Sequence, residues 1–485
     1  MSLLVITLVY ELNNPSSDPI HYRSLSSVAG DIRAGQVSPV ELTEALLSRI
    51  ESVDANLKSY ATVMASQAIE SARVAQREIQ AGNYRGALHG VPIAVKDLCF
   101  TKGTRTMGGL QVLRDFVPSY DATVVRKLQE AGAVLLGKLN LTEGALSGYH
   151  RDFPVPVNPW GSELWSGVSS SGPAVATAAG LCFASIATDT GGSIRYPSMA
   201  TGVVGLKPSY GRVSRYGVLE LAASLDHVGP ITRSVMDAAI LFEAIAGYDE
   251  KDSTSLRDPA PKIVEALTDE LSGIRVGVDE RYLSEGTDAG LVDAIHEVIA
   301  VLQGLGAQIK VVTMPKLDPM ELRNAWLPIC AYEACAAHSA TYPARKDEYG
   351  GYLGDALEMG TEMTVNDYRK GMTLRASICQ QFEAAMESVD AVICPSGGSV
   401  FAVETDVQYG NMENLKPVIQ NFQGQFTIPA DLGGTPTLTV PCGFSEAGSP
   451  YAVQFLGNRL SELTLCRIGH AYECATVWHT RHPTI

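Results

Sequence analysis

The chain has 485 residues, of which 46% are apolar and 19% charged, enough material for a large core and a composition that excludes a disordered chain. A net charge of -16 argues against a direct reader of phosphate backbones, which needs clustered Lys and Arg. Nine cysteines at irregular spacing, with no C-x-x-C pair, predict buried free thiols in a reducing compartment rather than a disulfide framework or a zinc site.

In chain order, the opening run MSLLVITLVYEL is apolar but too short to span a bilayer, and it lacks a basic n-region and a cleavage site. A cytoplasmic chain without membrane contact is expected. Residues 11–20 read as a polar leader, so that 1–21 precede one domain over 22–485. Ser38 is the predicted N-cap of a helix with Pro39 at its first position and Glu41 completing a capping box. Leu42, Leu46, Ile50 and Val53 then recur at helical spacing, and a second, Ala-rich helix is expected from about Ala65 to Gln80. Residues 22–85 therefore form a helical arm on a larger body.

From Gly90 onward, apolar runs with strand character alternate with helices. The predicted strands are Val91–Val95, Ala133–Leu136, Phe183–Ala187, Ile274–Val278, Gln308–Val312, Ala391–Cys394, Thr437–Val440 and Ala452–Leu456. Ser234 with Asp237 caps one helix, and another spans Leu291–Gln303 and stops at Gly304. The alternation predicts an α/β fold: a large mixed, mostly parallel central sheet covered by helices on both faces. Residues 247–273 and 340–430 look less regular, and 320–430 reads as irregular insertions that select the substrate.

The chemistry concentrates in Ser166–Pro197. Three serines, Ser169 to Ser171, precede a helix of small residues, and a strand then ends in Asp189-Thr190-Gly191-Gly192-Ser193. Tandem glycines permit positive φ, and successive N–H groups in such a turn can converge on an anion. An acyl-transfer nucleophile needs that arrangement beside it. Ser193 is thus a candidate nucleophile, with the N–H groups of Thr190, Gly191 and Gly192 as oxyanion donors; a plain glycine turn fits the same residues.

A serine nucleophile needs a base. The G-x-S-x-G elbow and the S-x-x-K spacing are both absent. Asp226-His227 could complete a Ser-His-Asp triad, but adjacent residues usually point apart, which favours a structural histidine. Lys96 follows the apolar run Gly90–Val95. A lysine at the end of a buried strand is desolvated, its pKa falls, and the neutral amine can act as a base. A lysine paired with a carboxylate at a strand end is the bland alternative.

GVPIAVKDL, GVSSSG and TDTGGSIRYP followed by GVVGLKPSYGRVS resemble the signature blocks of the amidase-signature family. AGAVLLGKLNLTE, SLDHVGPITRSVMDAA, FTIPADLGGTPTLTVPCGF and ECATVWHTRHP extend the likeness. It is strong over 22–250, the catalytic signature core lying at 90–250, good over 425–485 and thin between. The resemblance implies a Ser–Ser–Lys triad: Ser193 attacks, Ser169, on a cis peptide bond, relays the proton, and Lys96 is the terminal base. It also implies the oxyanion donors named above, with Asp189 and Arg195 supporting the loop, and places Ala145, Ser147 and Tyr149 in the substrate pocket. Val168 and Pro173 depart from the family's glycine-rich serine run, and Asp431 stands where the family usually has Asn.

The implied activity is hydrolysis of a carboxylic amide through an acyl-enzyme, with carbamates, ureas and esters sharing the same intermediate. The alternative is the glutamine-amidase (A-type) subunit of a tRNA-dependent amidotransferase, against which the altered serine run and Tyr149-His150 argue. No cofactor or metal is implied. A small amide-like molecule is the expected partner, without direct nucleic-acid or membrane contact; a homodimer is compatible. Other motifs fall away. Asp189-Thr190-Gly191 lacks the second triplet of an aspartic protease, Gly132-to-Lys138 lacks the hydroxyl residue of a P-loop, and His479 with His482 is too small a set for a metal.

Overall fold

Eleven strands among the described residues form one sheet, so the alternating apolar runs do assemble into α/β layers. The computed structural model describes residues 19–416 and 419–485; the apolar opening run, and the predicted leader up to residue 18, lie outside them. The strands are β1 (Tyr60–Val63), β2 (Pro92–Lys96), β3 (Val134–Leu139), β4 (Ala184–Asp189), β5 (Val204–Lys207), β6 (His227–Thr232), β7 (Arg275–Val278), β8 (Gln308–Val311), β9 (Ala391–Pro395), β10 (Thr437–Phe444) and β11 (Pro450–Gly457). Across the sheet the order is β1-β3-β2-β4-β6-β5-β10-β11-β9-β7-β8.

All eight predicted strands are present. β1, β5 and β6 were not anticipated, because β1 is half exposed and β6 is interrupted by Gly229 and Pro230. They also change the balance of the sheet. Four neighbouring pairs are parallel, β2–β3, β2–β4, β7–β8 and β7–β9, while the other six are antiparallel. The sheet is mixed as expected, but the parallel majority does not hold. The physical reason is the connections. β5 to β6, and β10 to β11, return without a crossover helix, and a helix-free return gives antiparallel pairing.

Both faces of the sheet are covered. On β9, Ala391 and Ile393 enter one core with the helices Val235–Ile245, Ala289–Gly304 and Glu462–Cys474. Val392 and Cys394, one residue out of phase, enter another with Met386 and Phe426. The two predicted entry helices are present as Pro39–Leu57, which buries Leu42, Leu46 and Ile50, and Ala65–Gln80, after a further helix Leu25–Arg33; between the two, β1 joins the edge of the sheet, so 22–85 is not helical throughout. Ser38 Oγ accepts the Glu41 N–H at 3.2 Å, but the reciprocal half of the capping box is not formed.

The stretch 320–430 corrects the prediction of irregularity. It carries the helices Pro319–Ala337, Gly351–Glu362 and Val365–Met386, which share a core with Leu98, Leu110 and Leu146. Glycines at 351, 354, 360 and 371, together with aromatic and charged residues, blurred the helical period.

Candidate active site

The parallel pairing of β2 and β4, with Ala94 opposite Ser185 and Val95 opposite Ile186, brings the carboxyl ends of both strands to one edge. Lys96 ends β2 and is fully buried. Its Nζ stands 2.7 Å from Ser169 Oγ, 2.8 Å from Ser170 Oγ and 2.8 Å from Thr188 Oγ1. Burial lowers the amine to about 7, against the pull of Asp189, Cys99 and Asp226. Lys138, equally buried on the neighbouring β3, differs in one respect: it pairs with Asp97 at 3.1 Å. Lys96 has hydroxyl oxygens around it and no ion pair among the described residues.

The serine run ends a loop from Trp165 and opens the helix Ser171–Ala178, whose small residues let it lie deep beside the sheet. The Val168–Ser169 peptide bond is cis. Ser170 Oγ donates to Thr188 O at 3.0 Å, and its N–H donates to Ser193 O at 3.3 Å, which ties the two serine-bearing loops together. Ser193 is 9% exposed, and its hydroxyl makes no hydrogen bond among the described residues, so the direct Ser169–Ser193 contact is not formed here.

The turn after β4 is organised by Asp189. Its carboxylate accepts the N–H groups of Gly192 at 2.6 Å and Ile194 at 2.8 Å, and two contacts from Arg195 at 3.0 and 2.8 Å. Although burial pushes it upward, the Arg195 guanidinium and these donors hold Asp189 well below the ordinary carboxylate range. Gly192 sits at φ 133°, and a Cβ there would overlap the Tyr196 ring, so glycine is required. The consequence for the predicted oxyanion donors is specific: the Gly192 N–H is committed to Asp189, while those of Thr190 and Gly191 carry no partner among the described residues.

Arg195 also donates to Asp431 Oδ2 at 2.6 Å and to Thr427 O at 2.7 Å. Burial raises the Asp431 carboxyl well above its usual range, against the attraction of Arg195. Asp431 matches in size and shape the asparagine that the family resemblance implies at this position.

Asp226 and His227 do point apart. Asp226 accepts the Thr190 hydroxyl at 2.7 Å and the Leu221 N–H at 2.9 Å. His227 Nδ1 faces Leu225 O at 2.6 Å, and burial with nearby Lys207 lowers its ring well below the usual value. Neither contacts Ser193. His482 stacks on Tyr22 with ring centroids 3.8 Å apart, away from any metal-sized cluster with His479 among the described residues.

Ser147 and Tyr149 line a cavity with Trp165, Val168, Tyr352 and Phe422. No charged side chain lines it. Tyr149 OH lies 2.7 Å from Ser171 Oγ at its floor. Ala145 sits elsewhere, in a second cavity with Thr188, Thr190 and Asp226, on the Lys96 side of the loop. Sequence reasoning did not find Ser170, Thr188 or Trp326. Ser170 was detectable, since it belongs to the serine run, and Thr188 is the last hydroxyl of β4 before the glycine turn. Trp326, whose Nε1 donates to Thr190 O at 2.8 Å, arrives from a distant helix and left no local signal.

The family model described as Amidase matches residues 41–466. The chain is 44% identical over 473 residues to "Putative amidase AmiD" of Mycobacterium tuberculosis, covering 96% of this chain and 97% of that one. It is 38% identical over 474 residues to the A-type subunit of glutamyl-tRNA(Gln) amidotransferase from Geobacter metallireducens, covering 93% and 96%. Among solved structures, the native peptide amidase of Stenotrophomonas maltophilia superposes with a TM-score of 0.81 at 28% identity, covering 95% and 97%.

Proposed function

The chain belongs to the amidase-signature family and is a hydrolase of C–N amide bonds, and from that premise we propose that Ser193, Ser169 and Lys96 form its catalytic triad. The observation that carries the reading is the buried Lys96 amine, 2.7 Å from Ser169 Oγ and without a counter-ion among the described residues. A neutral amine has two N–H donors and one lone pair. Ser170, whose own proton goes to Thr188 O, and Thr188 take the donors, which leaves the lone pair for the Ser169 hydroxyl.

In this reading Ser169 passes its proton to Lys96 as it takes the proton of Ser193, and Ser193 attacks the carbonyl. The Thr190 and Gly191 N–H groups receive the oxyanion, and Gly192 joins them only if it leaves Asp189. The proton then returns through Ser169 to the departing nitrogen, and water releases the acyl group. The Ser169–Ser193 contact that this reading needs forms on substrate binding, in keeping with apo sites whose catalytic bonds tighten on binding.

The substrate class in this reading is a carboxylic amide, with carbamates, ureas and esters as chemical neighbours. The altered serine run at Val168 and Pro173 and the Tyr149-His150 pair weigh against the amidotransferase reading. Nine free, mostly buried cysteines support a cytoplasmic location, and one continuous sheet from residue 60 to 457 supports a single domain over 22–485. No helix among the described residues is long and apolar enough to cross a membrane.

The test uses the purified chain alone on simple aryl amides. Ser193→Ala abolishes turnover and Lys96→Ala costs several orders of magnitude, while His227→Ala retains activity. Near-normal activity in Lys96→Ala with loss in His227→Ala moves the base to histidine. Activity that requires a second, copurifying protein favours the amidotransferase reading.

A further inference from the structure

Outside the catalytic residues, one cluster brings three different metal-ligating groups together. His470 and Cys474 lie one turn apart on the helix Glu462–Cys474 and so share a face. His470 Nε2 stands 3.7 Å from Cys474 Sγ and 3.8 Å from Asp269 Oδ1, in the segment that leads into β7. All three donor atoms lie within 4.8 Å of one another, the one such group among the described residues.

We propose that Asp269, His470 and Cys474 bind one thiophilic divalent cation of the zinc type, as a structural clamp between the C-terminal helix and the loop before β7. The distances carry the argument. Zinc bonds of about 2.0–2.1 Å to nitrogen, 2.3 Å to sulfur and 2.0–2.2 Å to oxygen, at tetrahedral angles, set nitrogen and sulfur ~3.6 Å apart and nitrogen and oxygen ~3.4 Å apart. The observed edges exceed these by a few tenths of an ångström, and the nitrogen–oxygen edge is too long for a hydrogen bond. A single nitrogen, Nε2, makes both approaches, as a ligand atom at a shared corner must. Asp269 is 72% exposed, which leaves an entry path and lets its loop close by the remaining distance. The fourth corner is open to water. A thiolate with an imidazole selects zinc or cobalt over magnesium or calcium.

The probe is Co²⁺ titrated into the full chain after chelator treatment. The expected result is one cobalt per chain with a thiolate-to-cobalt absorption band, displaced by Zn²⁺. Cys474→Ser abolishes the band and His470→Ala weakens binding at least ~10-fold, while Cys335→Ser, a similarly half-buried control, keeps it. Amide hydrolysis is unchanged in all three variants. Absence of the band in the unmodified chain, or its survival in Cys474→Ser, overturns the proposal; the first measurement needs no variant to fold.

Discussion

Two buried lysines on adjacent strands show what a neighbour decides. Lys138 faces Asp97 and donates to Cys99 O, a closed structural pair. Lys96, three hydroxyls around it and no carboxylate bonded to it, is left with desolvation as the dominant influence. In the proposed mechanism the neutral amine is the active form, and with its value lowered to about 7 the expected activity rises with pH. kcat/KM is expected to fall ~10-fold per pH unit below that value and to level off above it. A pH–rate profile on a neutral amide checks this, since a substrate without titrating groups leaves the limb to the enzyme. A flat profile between pH 5 and 8 rules out Lys96 as the titrating base.

At the scale of elements, the turn proposed to receive the oxyanion is held from both sides. Asp189 draws in the N–H groups of Gly192 and Ile194 from below, and the Trp326 indole of the helix Pro319–Ala337 holds Thr190 O from above. A peptide plane whose carbonyl is held has its neighbouring N–H aimed as well, and here that N–H belongs to Gly191. Trp326→Phe keeps the ring and removes the donor. One such bond is worth about 1 kcal/mol, so the expected cost is roughly 5-fold in kcat with KM little changed. Steady-state kinetics separate this from a packing defect, which would lower the thermal midpoint without a selective loss in kcat.

On the scale of the whole molecule, Arg195 joins parts of the chain more than two hundred residues apart, binding Asp189 in the signature core and Asp431 and Thr427 near the C-terminus. All three ionisable groups are fully buried. Arg195→Ala strands Asp189 without its counter-ion, a loss of about 3–5 kcal/mol. Asp431→Asn keeps the shape of the side chain and an oxygen to accept from Arg195, in line with a carboxyl that burial pushes toward its neutral form, and is expected to change stability by less than ~1 kcal/mol. Thermal unfolding of the two variants at one scan rate compares them directly. Equal, large losses in both would mean that Asp431 is ionised and essential to the pair.

The residues proposed to act, Lys96, Ser169 and Ser193, could be named from the sequence through the serine run, the glycine turn and the apolar run before Lys96, and their resemblance to the family's signature blocks joined them into one triad. The two entry helices and eight strands were legible too, since apolar periodicity follows from burying one face. Three things came only from the folded chain. The antiparallel majority depends on which strands become neighbours, and the helices of 320–430 depend on a tertiary core that outweighs their glycines. The third is the set of distant contacts around the loop: Trp326 on Thr190, Asp226 on the Thr190 hydroxyl and Asp431 on Arg195. Local periodicity records which face a segment buries. It holds no record of which remote segment fills the space opposite, because that choice is made by packing the whole chain at once.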